Sequence, residues 1–557
     1  MKATLPAAVA ADINAIHTEY RAEETVIERE SREPRPARPQ AHTTDSVLSA
    51  SRRRVLAAGM IAGLNLLIPK TLYARKTDVR IAIVGAGMAG MSAAHYLMEA
   101  GWRPMVYEAA HRLGGRIYSV GGIAGSETVV ELGGEFINST HQDMLTLAKF
   151  YRLPLLDRAT VEEQSLREAY FFGGQSRTTA EVVAALRPFM ARIAADHEIL
   201  NSPKAGDRLS LLDRLSLKDY LDKIGMSGWP RALIENMMIP EYGLEPEQQS
   251  CLNLLWLAPS IAGEELQLLG ESDERYSIIG GNQRLIMAIA ERLGDRIATG
   301  RVLEAILPAG SGLELHFTDH RVKVDLAIVT IPYTSLRQVE MRVPLATGLQ
   351  RSIAELAYGT NAKMMLGFER RYWRQLGYNG ATYTDLGYQS SWDNSQGQST
   401  ETGGITFFLG GKAGEQRSAD VSMVASDYLK QFDQVLPGAR LSHNSKFAYF
   451  SWKYYPFIMG SYACFQPGQY SSFIAENLYR EKNPLGQVGA GALILAGEHT
   501  SDDFQGFMNG AAQSGRLAAK VAIRRLGSFS RQYSASFAPA LAPTRQRGSK
   551  SKRASVS

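Results

Sequence analysis

Along most of the chain, short apolar runs of strand length alternate with stretches of helical period. Ile81 to Val84 is an unbroken apolar run, as expected of a strand covered on both faces. From Met88 to Ala100 the apolar positions recur at helical spacing, and Gly101 ends the pattern. Pro104 to Tyr107 supplies a second strand that closes on Glu108. The intervening Gly85, Gly87 and Gly90 give G-x-G-x-x-G, so the whole reads as a β-α-β unit built for a dinucleotide. Gly85 permits the tight turn, Gly87 lets backbone approach a pyrophosphate, and Gly90 lets helix and strand pack closely. The helix start then presents free N–H groups and the positive end of its dipole to the phosphates. Glu108 can accept hydrogen bonds from both ribose hydroxyls of an adenosine. An acid there disfavours a 2′-phosphate, which points to FAD or NAD rather than NADP.

Further along, residues 145–274 read as helical and amphipathic, with Leu211 to Leu221 as one such helix. Asp325 to Pro332 and Leu493 to Ala496 are buried strands, and Asn361 to Phe368 is an apolar strand interrupted by a lone lysine, Lys363.

Composition narrows the class. The 557 residues suffice for two closely connected domains, and 45% hydrophobic with 21% charged residues is ordinary for a globular protein. Cys251 and Cys464 are the only cysteines, which excludes a disulfide framework and offers no metal-ligand cluster. The net charge of +5 comes from the tails. Residues 1–75 carry 11 basic and 8 acidic groups, and residues 527–557 carry 6 basic and none acidic, so the body stands at −4. Nothing in it suggests a nucleic-acid surface. Residues 1–50 read as a disordered extension and 527–557 as a solvated basic tail. Between them, Arg52 and Arg53 precede an apolar stretch to Ile68 and Leu72-Tyr-Ala74. Residues 51–75 resemble a twin-arginine export signal, which implies the export machinery as partner and a periplasmic or secreted enzyme. Without that signal the enzyme would be cytoplasmic.

A second glycine cluster follows the first: His111-Arg-Leu-Gly-Gly-Arg116, then Glu131-Leu-Gly-Gly-Glu-Phe136. Far downstream come Leu493-Ile-Leu-Ala-Gly-Glu-His-Thr500 and Gly506-Phe-Met-Asn-Gly-Ala-Ala-Gln-Ser-Gly515. Together these resemble the flavin-containing amine oxidases (monoamine, polyamine and L-amino-acid oxidases) over residues 78–526. The resemblance implies an α/β, two-domain flavoprotein with a Rossmann-like FAD-binding domain and a mixed-sheet substrate domain capped by helices. Residues 78–144, 275–332 and 464–526 would form the FAD domain. Residues 145–274 would be the helical part of the substrate domain and 333–463 its sheet. FAD would be held by Gly85, Gly87, Met88, Ala89, Gly90, Glu108, Ala109, Gly115, Arg116, Gly133, Gly134, Glu135, Val302, Gly497, Glu498, Gly506, Phe507 and Met508. Arg301-Val-Leu303 would be the strand beside the adenine, and Arg116 would neutralise phosphate charge.

By the same resemblance, Lys363 with Trp373 ten residues later matches the family's lysine, which holds a water against the flavin N(5). A lysine amid apolar residues is costly to bury without a purpose. Tyr462 and Phe507 match the two walls of an aromatic cage that admits a neutral amine and aligns its α-hydrogen. Ser461 replaces the cysteine that monoamine oxidases bond to flavin, so the FAD is expected to be non-covalent. The implied reaction is oxidation of a primary or secondary amine, with dioxygen as acceptor and aldehyde, ammonia or amine, and hydrogen peroxide as products. An L-amino-acid oxidase or a tryptophan monooxygenase-like enzyme is the alternative, and a flavin-holding scaffold or regulator without turnover is the rival from another class. Phe136 stands where many L-amino-acid oxidases have a carboxylate-binding arginine. That favours a substrate lacking a carboxylate, unless another arginine from the helical region takes the place. Glu135 could attract a distal ammonium or pair with a structural arginine. A homodimer stays open.

Overall fold

In the computed structural model, the described residues are 79–527, apart from 126–127, 201–205, 417–420, 475–476 and 484–485. The extension, the export-like segment and nearly all of the basic tail lie outside them. The β-α-β unit forms as expected. Ile81–Val84 pairs in parallel with Met105–Tyr107 on one side and Leu326–Val329 on the other. Ile297–Ala298, Leu493–Leu495 and Gly489–Ala490 complete a six-stranded sheet, antiparallel only at that last strand. The expected strand at Arg301 to Leu303 is displaced. Ile297–Ala298 is the strand beside Met105–Tyr107, and the chain then turns at Gly300 (φ +68°). Leu303–Ala309 belongs instead to a four-stranded sheet with Gly312–Phe317, Arg321–Val324 and Glu340–Met341.

Helix Met88–Glu99 covers the sheet and packs against helix Met508–Arg525. A Cβ on Gly90 would lie 1.9 Å from the Gly85 carbonyl oxygen, so only glycine allows this approach. Gly85 itself sits at φ +103°, where an L side chain is strained.

The larger sheet has seven strands in the order His443–Ser451, Ala362–Phe368, Gly403–Leu409, Ser390–Asp393, Tyr378–Thr384, Arg167–Phe172 and Gln175–Arg177. Its one parallel pairing, Tyr378–Thr384 with Arg167–Phe172, makes it mixed. The period-two rule sorts its second strand, Ala362–Phe368. Ala362, Met364, Leu366 and Phe368 point to the face that helix Val421–Val435 covers through Tyr428 and Phe432. Lys363 therefore projects from the other face.

Residues 145–274 are not helical throughout. Arg167–Phe172 and Gln175–Arg177 extend the large sheet, Leu155–Asp157 pairs with Tyr276–Ile278, and Ser260–Ala262 forms a hairpin with Glu265–Gln267. The single helix expected over Leu211 to Leu221 is two, Gly206–Asp213 and Leu217–Lys223. Ser216 breaks it by a capping box: its hydroxyl accepts from the Asp219 amide, and the Asp219 carboxylate accepts from the Ser216 amide.

Candidate functional site

Three glycine segments adjoin in turn: Gly85–Gly90 meets Gly114-Gly115 at the start of helix Met88–Glu99, and Gly133-Gly134 meets Arg116 and the start of helix Met508–Arg525. The Gly114 amide donates to the Ala86 carbonyl at 3.0 Å, and the Gly87 Cα lies 3.2 Å from where a Gly115 Cβ would be. A Cβ on Gly133 would meet the Arg116 carbonyl at 2.0 Å, and one on Gly134 would meet Met508 Cγ at 2.7 Å. Asn282 stitches this junction, its amide donating to the carbonyls of Gly134 and Glu135. Two helix N-termini open here without side-chain caps, at Gly87 and at Phe507, so their first N–H groups lack intrahelical partners.

Glu108 is buried, accepting from Ala86 N at 2.7 Å and Ala110 N at 2.9 Å. Each oxygen keeps a lone pair for a further donor. Burial raises its pKa, and these amides pull against that rise. Ala109 follows directly, and Arg301 N donates to the Glu108 carbonyl. The Val302 carbonyl accepts from Thr318 N, which holds the segment after the Gly300 turn. Arg116 is anchored through one nitrogen: its Nη1 reaches Glu498 Oε1 at 2.6 Å and the Ser461 carbonyl at 2.8 Å. The other Glu498 oxygen accepts from Gly506 N at 2.9 Å. This ion pair thus ties the second glycine cluster to Gly497 and Gly506. Buried Asn509 Nδ2 and His499 Nδ1 have no hydrogen-bond partner. Uncapped helix starts, a glycine cradle and unpartnered polar atoms fit a large polar cofactor such as FAD.

Lys363 lies on the neighbouring sheet face and is 5% exposed. Its ammonium donates to the Glu131 carbonyl at 2.9 Å, the Gly133 carbonyl at 3.0 Å and Glu135 Oε2 at 3.1 Å. All three protons are engaged, so holding a water would require giving one of these up. Glu135 in turn accepts from the Trp392 indole at 3.1 Å and faces Arg158 Nη2 at 3.5 Å. Of the two fates left open for Glu135, pairing is the one realised, with a lysine as well as an arginine. Trp373 is elsewhere: it is fully buried with its indole on Asp393. Trp392 is the tryptophan beside Lys363, 5.1 Å from its ammonium. Arg158 also lies 4.9 Å over the Phe136 ring.

Tyr462 is half-buried, its hydroxyl donating to the Glu241 carbonyl at 2.7 Å. A Cβ on Gly506 would lie 3.5 Å from its ring, which places Tyr462 against the segment carrying Phe507. The Phe507 ring packs on His141 at 5.0 Å, and burial pushes that imidazole down to about 4, neutral at ordinary pH. Ser461 is buried and donates to Asn361 Oδ1.

Sequence reading missed Arg158, Trp392, Glu241 and Glu274. Each is brought in by strand register or by a helix end, so no local motif marks it.

The sequence matches the family model described as flavin containing amine oxidoreductase over residues 88–523. It is 23% identical over 478 residues to amine oxidase [flavin-containing] A of Sus scrofa, covering 82% of this chain and 86% of that protein. It is 24% identical over 487 residues to an L-amino acid dehydrogenase of Synechocystis, covering 82% and 98%. Among solved structures, cyclohexylamine oxidase from Brevibacterium oxydans superposes with a TM-score of 0.69 at 20% identity, covering 81% of this chain and 99% of that one.

Proposed function

We propose, from the premise that this chain belongs to the flavin containing amine oxidoreductase family, that its site oxidises a small amine at the carbon bearing nitrogen. It is an FAD-dependent oxidoreductase acting on amine donors. The uncapped starts of Met88–Glu99 and Met508–Arg525, with Glu108 and the Gly133-Gly134 turn, would hold the FAD. Bound FAD supplies the two-electron acceptor for the substrate hydride and passes the electrons to dioxygen, giving peroxide.

The protein's own contribution is placement and charge. Tyr462 is fixed through the Glu241 carbonyl, and Phe507 through His141, so both rings are held before substrate arrives. Lys363 brings a buried positive charge to the same region, and Glu135 keeps it in place. The observation that carries the reading is this convergence: a buried lysine, the Tyr462–Gly506 contact and an uncapped helix start in one place. Ser461 in place of a cysteine supports non-covalent FAD. Release of hydrogen peroxide across a panel of amines tests the function.

One observation favours a second reading, oxidation of an L-amino acid. Arg158 delivers a guanidinium to Phe136, the position where the family's carboxylate-binding arginine is absent, and its Nε has no partner. The relative from Synechocystis named an L-amino acid dehydrogenase agrees with it. L-amino acids therefore belong in the same panel.

Export rests on the sequence alone. Changing Arg52 and Arg53 to lysine should hold the enzyme in the cytoplasm, and unchanged fractionation would remove the proposal.

A further inference from the structure

Lys363, Glu135 and Arg158 form a buried charge cluster against the glycine turn, with only 6%, 4% and 9% of their side-chain surfaces exposed. The Lys363 ammonium donates to the carbonyls of Glu131 and Gly133 at 2.9 and 3.0 Å. Its charge is thereby fixed on the Gly133-Gly134 turn that would hold the FAD. Asn282 holds the next two carbonyls, those of Gly134 and Glu135, at 3.0 and 2.8 Å. The turn therefore anchors the ammonium through backbone, whatever side chain stands at position 135. The third ammonium proton goes to Glu135 Oε2 at 3.1 Å. Glu135 Oε1 accepts from the Trp392 indole at 3.1 Å and faces Arg158 Nη2 at 3.5 Å.

Two backbone carbonyls suffice to place the ammonium, so what Glu135 adds is charge. A carboxylate 3.1 Å from an ammonium, both shielded from water, offsets the field that the ammonium sends across the turn. Arg158 shares that carboxylate, and its Nη1 is held by Gln396 Oε1 at 2.9 Å. Among the described residues, Glu135 is the one acid paired with Lys363. Glu131 is the other acid of the turn. Its carboxylate accepts from the Ser119 hydroxyl and the Asn282 amide, and burial raises its pKa to about 7. Hydride uptake adds one negative charge to a bound flavin, since FAD and a hydride ion make FADH⁻. A free cation on the cradle favours that anion, and a compensated cation favours it less.

We propose that Glu135 is a positioning residue that acts through Lys363: by compensating the ammonium on the glycine turn, it holds down the two-electron reduction potential of the bound flavin. A lower potential makes the flavin a weaker hydride acceptor from substrate and a stronger electron donor to its own acceptor. The proposal rests on the reading of the turn as part of the flavin cradle and goes beyond it. It requires no particular amine.

The test reads the flavin potential of the holoenzyme by anaerobic reduction in equilibrium with a reference dye, at about pH 6, where Glu131 stays mostly protonated. No amine enters, so the result is independent of whether amines are the substrate. Glu135→Gln should favour reduced flavin by at least about tenfold, a rise of about 30 mV for a two-electron couple. Lys363→Met should favour oxidised flavin by at least about tenfold. The double variant restores the wild-type charge balance and should return to within about threefold of the wild type. Glu135→Asp keeps the charge and should stay near the wild-type potential. A merely structural role would not give opposite signs, because loosening the turn from either side would shift both single variants the same way. The potential is read on flavin-loaded protein alone, so partial unfolding cancels. Should Glu135→Gln fail to retain flavin, the step from Lys363→Met to the double variant reads the same charge and should again be at least about tenfold. An unchanged or lowered potential when the Glu135 charge is removed, in either background, overturns the proposal. Single variants that shift together overturn it as well.

Discussion

Lys363→Met is expected to destabilise the protein by about 3–5 kcal/mol, the usual cost of breaking a buried ion pair from one side. Methionine has nearly the length of lysine, which on the strand pattern alone would predict a small folding defect. The hydrogen bonds argue otherwise. The carbonyls of Glu131 and Gly133 each lose a donor at 2.9 and 3.0 Å, at about 1 kcal/mol apiece. Glu135 loses its nearest cation at 3.1 Å and keeps only Arg158 at 3.5 Å and the Trp392 indole. Movement of Arg158 toward Glu135 would bring the cost to the low end of the range. Urea unfolding of the wild type and the variant at one fixed FAD concentration measures the difference. Adding Glu135→Gln removes the stranded charge, so the double variant should recover at least about 1 kcal/mol relative to the sum of the single changes. A single-variant loss below about 1 kcal/mol, or strict additivity in the double, would show that the two residues do not act as a pair.

Four further outcomes follow from the same geometry. Lys363→Met should slow reoxidation by dioxygen about a hundredfold, and slow reduction by amine less, because it withdraws a buried positive charge from where superoxide charge develops; stopped-flow separates the two. Glu241→Gln should stabilise the substrate-free protein at alkaline pH. Burial first, and Glu274 second, hold the folded-state pKa near 8, above its unfolded value of about 4.3. Ionisation therefore costs stability as pH rises from that value through 8, and the variant's advantage should be absent below about pH 4 and full above pH 8; thermal melts across pH that show no such trend refute it. Arg116→Gln should weaken FAD retention by at least about tenfold, read by flavin release on dilution, because Glu498 would be left buried without its 2.6 Å partner. Acid precipitation should leave the flavin in the supernatant, and yellow protein in the pellet would contradict non-covalent binding.

Local signals in the sequence were enough for the parts that local chemistry decides. The glycine turn at Gly85 to Gly90 and its strands follow from period and steric need, and the structure places Gly90 against the Gly85 carbonyl as that need requires. Lys363 stood out because its strand is otherwise apolar. The capping signal at Ser216 to Asp219 was also present, but the apolar period across Leu211 to Leu221 masked it, and the cap won. Trp392, Arg158 and Glu274 carried no local mark. Trp392 reaches Lys363 through register with Gly403–Leu409, and Arg158 reaches Glu135 from a strand end 23 residues away. The lysine's three acceptors likewise come from a turn some 230 residues earlier. Electrostatic pairing of this kind is set by tertiary contact, which no single stretch of sequence contains.

On the function proposed above, this chain moves two electrons from an amine to its flavin. Anaerobic titration of the purified holoenzyme with a panel of amines and L-amino acids tests this most directly. Stoichiometric bleaching of the flavin, with one carbonyl product formed per flavin reduced, is the expected result. A flavin that stays oxidised across the full panel of amines and L-amino acids, in protein that still reduces with dithionite, would contradict the account.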